Sequence, residues 1–229
     1  MKIVAALSWY DEPVEFLDRL VRSLGGHVDE LVALDGAWKG YPDPHCSSAR
    51  EQRDVIRAAA DEVDLPVRVM VPRTVWPSQV SKRQKLFDIA IDEQRGDWVL
   101  VVDGDFILAE CDDVKLEMSL KLTGLDVGQV MIRPLNNAWP YSELPTHSAP
   151  HRMIWRGHPD LTVENWHYGI RIGGRWLHGD TAYVDVEPAL DLSRIVVIDH
   201  DNMNRPPERV AAMSRYRETR TTERLETWK

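Results

Sequence analysis

The run Trp98-Val99-Leu100-Val101-Val102, closed by Asp103-Gly104-Asp105, constrains the fold more than any other segment of the chain. Five consecutive apolar residues bounded by turn residues read as a strand covered on both faces, because a half-exposed strand would alternate apolar with polar. Such strands belong to sheets sandwiched between helices, and the flanking sequence agrees. Ile3 to Leu7, Glu30 to Leu34 and Val67 to Val71 read as further strands. Between the first two, Pro13 to Leu24 sets Val14, Leu17, Leu20, Val21 and Leu24 at helical spacing and stops at Gly25-Gly26. Ser48 to Val63 and Ser81 to Glu93 read as two more helices. Strand and helix alternating over residues 1–108 predict an α/β fold, a mainly parallel sheet flanked by helices.

The second half changes character. Val127 to Arg133 reads as a strand, and Pro134 to Arg152 as a loop rich in Pro, Asn, His and Trp. Met153 to Asp191 carries many aromatics and Gly173-Gly174, as expected of short strands in a site-covering region. A last apolar strand, Arg194 to Ile198, ends in Asp199-His200-Asp201, and Pro206 to Lys229 reads as a polar, Arg-rich helix. Without internal repeats or low-complexity segments, the expectation is one domain over 1–229.

Composition narrows the function classes. With 28 Lys+Arg against 37 Asp+Glu the net charge is −9, which disfavours bulk nucleic-acid binding but leaves room for a local basic groove. Cys46 and Cys111 sit far apart with no CxxC or Cys/His spacing, so the sequence offers neither a zinc site nor a disulfide framework. The start lacks a signal-peptide pattern, and no apolar run approaches the ~20 residues of a membrane span, so a soluble, cytoplasmic protein is expected. Nine Trp against three Phe suit core and interface packing, or stacking surfaces for sugars and bases.

Polar residues follow several strands: Ser8, Trp9, Asp11 and Glu12 after the first, Asp35 after the second, Asp103 and Asp105 after the fourth. Ligands of open α/β sheets bind outside the carboxyl ends of the strands, so these groups point to one crevice. Two carboxylates flanking a Gly at the end of a buried strand can reach one hard cation, with oxygen ligands suited to Mg²⁺ or Mn²⁺. The plainer reading of such a string is turn chemistry. His200, also just beyond an apolar strand, is either a further ligand or a surface histidine between two acids.

These blocks resemble the GT-A (Rossmann-like) glycosyltransferases of the family 2 type. The likeness lies in Ser8 to Glu12 with Leu20 and Ser23, in Val28 to Gly36, in Ser81-Lys82-Arg83-Gln84 with Phe87 to Ala90, in Asp97 to Asp105, and in His200 with Arg209 and Tyr216. The resemblance implies that residues 1–108 form a nucleotide-sugar-binding part, and 109–229 an acceptor-side part with a C-terminal helix. Asp11, Glu12 and Asp35 would hold the base and ribose of a nucleotide-diphosphate-sugar donor, Trp9 would belong to the same donor site, and Arg83 with Lys82 would lie near the diphosphate. Asp105 would ligate Mn²⁺ or Mg²⁺, Asp103 would contact ribose or metal-bound water, and His200 would complete the metal site. Capping or turn roles are the alternative for Glu12 and Asp35.

An inverting transfer needs a base for the acceptor hydroxyl. Glu164 is the first candidate and His167 the reserve; His167-Tyr168 stands where relatives carry a His-Glu pair. Arg152 and Trp166 are candidates for the acceptor side. The acceptor is open among glycan, protein, lipid and modified nucleic-acid base. The Arg-rich tail (Arg205, Arg209, Arg215, Arg217, Arg220 and Arg224) is a candidate contact for an anionic acceptor or a peripheral membrane surface, against the plainer reading of a solvated helix face. Competing readings are a nucleotidyltransferase or other nucleotide-sugar enzyme, and a nucleotide-sugar-binding module without turnover.

Overall fold

Apolar spacing turns directly into the first half of the molecule. In the computed structural model, which describes residues 1–41, 44–134, 148–164, 169–178 and 185–200, the chain opens with β1 (Ile3–Ser8), α1 (Val14–Leu24), β2 (Glu30–Leu34), α2 (Arg50–Glu62) and β3 (Val67–Met70). Then come α3 (Gln79–Asp88), a π-helical turn over Ile89–Glu93, and β4 (Trp98–Asp103). The buried side of α1 is Phe16, Leu17, Leu20, Val21 and Leu24, the spacing expected of one helical face. Each such side chain contributes about 1.5–3 kcal/mol of burial, well above the tenths that separate helix propensities. A reciprocal Ser78–Ser81 cap, with both amide-to-hydroxyl bonds at 3.0 Å, starts α3. Trp98 to Val102 are all buried, as a two-face-covered strand requires.

The remaining elements are β5 (Phe106–Cys111), α4 (Asp113–Leu122), β6 (Val127–Pro134), β7 (Ala149–Arg156), β8 (Leu161–Val163), β9 (Ile170–Ile172), β10 (Arg175–His178), β11 (Leu190–Asp191) and β12 (Val196–His200). Among the described residues the central sheet runs β3-β2-β1-β4-β7-β6-β12-β5, with β11 beside β6. It is mainly parallel; β5 and β7 run against the rest. The expected α/β class therefore holds. No described helix is long and apolar enough to cross a membrane.

Two stretches depart from the sequence reading. The expected loop Pro134 to Arg152 gives way, from Ala149, to β7, whose first half is largely exposed and polar and whose buried residues are only Met153, Ile154 and Trp155. Its pattern hides the strand; pairing with β4 and β6 creates it. β5 and α4 were likewise unmarked. On α4 only Leu116 and Leu120 are buried, while Val114, Met118 and Leu122 are exposed, so the helix shows almost no amphipathic signal. The C-terminal helix expected over Pro206 to Lys229 and the whole Arg-rich tail lie outside the described residues.

A second, three-stranded antiparallel sheet, β8-β9-β10, packs on α3. Gln84 makes the junction: its Nε2 donates to Leu161 O at 3.1 Å, and its Oε1 accepts from Val163 N at 2.7 Å. One side-chain amide thus stands in for a neighbouring strand. From β7, the Arg152 guanidinium adds a bond to Leu177 O of β10.

Candidate functional site

Register brings the strand ends to one level. Ser8 lies beside both Leu34 and Asp103, and His200 lies beside Phe106 and Pro134. The polar residues that follow β1, β2 and β4 therefore leave the sheet side by side, at its carboxyl edge, with the end of β12 at the same edge.

The loops after β1 and β2 are tied to the start of α2. Asp35 is fully buried; its Oδ1 accepts from Gly36 N and Ser48 Oγ, both at 2.6 Å, and its Oδ2 accepts from Ser48 N at 2.9 Å. Ser48 Oγ also accepts from Asp11 N at 2.9 Å. Gln52 reaches both neighbours, accepting from Glu12 N at 3.3 Å and donating to Asp11 Oδ1 at 3.5 Å. Asp11 has a φ of 51°, in the left-handed region that Asp tolerates better than most residues. At Gly36 (φ 99°) a Cβ would meet Cys46 O at 2.5 Å, so only glycine fits the turn after Asp35.

Lys82 joins these loops from below. Its side chain has no exposed surface, and its Nζ donates to Trp9 O and Gly36 O, each at 2.7 Å. Burial pushes its pKa down to about 7, opposed by the attraction of Asp35 and, more weakly, of Glu12 and Asp103, and assisted by repulsion from Arg83. The Trp9 indole lies in the main core, so what Trp9 presents to this junction is its carbonyl. Above the junction, Tyr10, Trp38 and Tyr41 form an edge-to-face cluster with centroids 5.0–5.2 Å apart. Trp76 packs against it and donates from its indole to Asp35 O at 2.9 Å.

Asp103-Gly104-Asp105 lies at the turn from β4 into β5. Glu12 packs across Gly104 so closely that a Cβ there would meet Glu12 Cγ at 2.7 Å. Asp105 is 3% exposed, and its Oδ2 lies 3.1 Å from His200 Nε2. The imidazole of His200 also stands edge-on to Phe106. Side chains alternate along β12, so Asp199 turns away and pairs with Arg133 at 2.6 Å. Asp105 and His200 together offer an oxygen and a nitrogen to one cation, a pair that fits Mn²⁺ and accepts Mg²⁺, an ion that keeps several waters and substrate phosphates as its other ligands. Asp103 does not complete a tight trio with them. Among the described residues, the only three ligand atoms of that kind within 4.8 Å of one another belong to His27, Cys111 and Asp113, elsewhere in the molecule.

Arg83 is buried on α3, one residue after Lys82. Glu164 stands just beyond β8, exposed, with its Oε1 3.1 Å from Thr162 Oγ1 and 3.8 Å from Arg171. Gln84 holds β8 against α3, the helix that carries Arg83, and Glu164 directly follows β8. His167 and Trp166 lie outside the described residues. Ser48, Gln52 and Gln84 hold the site together although none stands out as chemistry in the sequence. Gln52 had one available signal: it is a polar residue on the same α2 face as Ile56, Ala59 and Ala60.

No family model and no curated protein matches the sequence. Among solved structures, TarS of S. aureus is similar to part of it at 17% identity, covering 63% of this chain and 24% of TarS, with a TM-score of 0.44. TarS 1-349 in complex with UDP-GlcNAc matches at 17% identity over 62% of this chain and 38% of that one, TM-score 0.44. A mycobacterial protein matches at 18% identity over 93% of this chain and 71% of that one, TM-score 0.48. The chain thus spans only about a quarter of TarS and less than half of its 1-349 form. The meeting of these strand ends at the carboxyl edge follows from this chain's own register.

Proposed function

We propose that the carboxyl-edge crevice binds a nucleotide-diphosphate-sugar and transfers its sugar to an acceptor hydroxyl. The observation that carries this reading is the buried Asp105, 3.1 Å from His200, at the same sheet edge as Asp11 and Glu12. Asp105 and His200 would hold Mn²⁺ or Mg²⁺, with Asp103 reaching a bound water or the ribose. When bound, the cation supplies positive charge to the departing diphosphate. Arg83 adds fixed charge on the same side, and the Lys82 junction keeps the β1 and β2 loops in place before the donor arrives. Asp11 and Glu12 are positioned by Ser48 and Gln52 to meet base and ribose, while Asp35 acts through the loop it holds. The acceptor oxygen forms a bond to the anomeric carbon as the bond from that carbon to the phosphate oxygen breaks. The nucleoside diphosphate takes the electron pair, and the acceptor proton passes to Glu164.

Calorimetric titration of nucleoside diphosphates and nucleotide-sugars, with Mn²⁺ and with chelator, tests the donor site. One nucleotide-sugar should bind in a metal-dependent way to the wild type and not to Asp105→Ala; a folded protein that binds none of the panel overturns the assignment. Glu164→Gln should then lower turnover by roughly 10²–10⁴-fold with donor affinity unchanged. A binding module without turnover is the second reading, favoured by the engagement of Glu164 with Thr162 and Arg171. Intact donor binding with neither transfer nor donor hydrolysis would select it.

A further inference from the structure

At the opposite, amino edge of the parallel strands three side chains from separate elements meet. His27 sits in the turn between α1 and β2, Cys111 ends β5, and Asp113 opens α4. His27 Nδ1 lies 2.8 Å from Asp113 Oδ1, and the ligand atoms of all three residues fall within 4.8 Å of one another. We propose that His27, Cys111 and Asp113 form a binding site for a zinc-class divalent cation, independent of the nucleotide-sugar crevice.

The backbone holds all three in place. His27 N donates to Leu24 O at 3.1 Å, Cys111 pairs in register with Val196, and Asp112 N donates to Ile195 O at 3.0 Å. The neighbouring acid plays a separate part, since Asp112 accepts from Lys115 N at 3.1 Å as the α4 cap and pairs with Lys115 Nζ at 2.7 Å. The local lysine is therefore engaged by Asp112, and the groups that face Asp113 are His27 and the thiol of Cys111. Imidazole, thiolate and carboxylate are the ligand types of Zn²⁺, and a sulfur ligand excludes the hard cations expected at the carboxyl edge.

The size of the gap is also right. Around a tetrahedral zinc ion, nitrogen and oxygen ligands stand roughly 3.3 Å apart. A bound ion would open the His27–Asp113 contact by about half an ångström, and the half-buried His27 and Cys111 and the exposed Asp113 can make that movement. Asp113 leaves an entry path, and water takes the fourth position. The Cys111 thiol gives its proton to solvent on binding.

Cobalt(II) titration of the full chain tests the site, because Co²⁺ takes zinc ligand sets and a thiolate ligand adds a near-ultraviolet charge-transfer band. The wild type, Cys46→Ser and Asp105→Ala should each show this band saturating at one equivalent. Cys111→Ser should abolish it, and His27→Gln and Asp113→Asn should each weaken the apparent affinity by at least roughly tenfold. Circular dichroism confirms that each variant is folded. A band that is absent in the folded wild type, survives Cys111→Ser, or ignores both His27→Gln and Asp113→Asn overturns the proposal and leaves His27–Asp113 as a surface ion pair. Loss of donor binding in Asp105→Ala with this band intact would show that the two sites are independent.

Discussion

The two edges of the central sheet hold their charged groups in opposite ways. At the carboxyl edge Glu12, Asp35, Lys82, Arg83 and Asp105 are all buried. At the amino edge His27 and Cys111 are half-buried and Asp113 is exposed. Burying an ion costs several kcal/mol unless partners replace its water. Lys82 and Asp35 meet that cost within the edge: Lys82 bonds two loop carbonyls, Asp35 takes three donors, and together they tie the loops after β1 and β2 to the start of α2 and to α3. Hydrogen bonds thus link several segments of the chain at the carboxyl edge, whereas at the amino edge the exposed Asp113 meets His27 near the surface. Preorganisation is what the first arrangement obtains, and ready access is what the second keeps.

The largest test of that contrast is Lys82→Met. The volume is nearly kept, but Trp9 O and Gly36 O, each bonded at 2.7 Å, lose their buried donor. Urea denaturation should show a loss of about 3–5 kcal/mol; a loss near zero would break the picture of a single interlocked unit. The same variant checks the lysine's titration. Because the folded pKa is pushed down to about 7, the unfolded chain holds a proton between there and the ordinary lysine range that the folded chain has released. Wild-type stability should therefore rise with pH from about 7 upward through this group, and that rise should be missing in Lys82→Met.

Gly104→Ala comes next. Its Cβ would press on Glu12 Cγ at 2.7 Å, so Glu12 must move, at about 1–3 kcal/mol, and donor binding should fall with it. Gln84→Leu should cost about 1–2 kcal/mol and speed hydrogen exchange at the Val163 amide, which loses its 2.7 Å acceptor. The smallest effect belongs to the amino edge: without added metal, Asp113→Asn should leave the denaturation midpoint where it is. A large shift there would erase the distinction between the edges.

Much of this was readable along the chain. Apolar runs and helical spacing mark β1 to β4 and α1 to α3 within a few residues, because burial of these side chains outweighs every local preference. The strand-end acids were readable for the same reason, since they follow those runs directly. The strands β5 and β7 were not: β5, mostly apolar with Glu110 its one charged residue, follows β4 after only a two-residue turn and alternates with no clear period, while β7 is half polar and owes its form to its neighbours' ladders. Lys82 looked like a diphosphate contact and is the buried clamp between two loops, a role visible only when Trp9 O and Gly36 O come together.

Cys111 shows the boundary between the two kinds of information. Its distance from any Cys or His in the sequence argued against a zinc site. Because β5 runs antiparallel to β12, residue 111 is carried back to the amino edge, where the turn after α1 delivers His27. The amino-acid order by itself determined which segments become buried strands and helices, since hydrophobic periodicity is a property of neighbours. Which distant side chains face one another was decided by strand order and register, and so only by the tertiary structure.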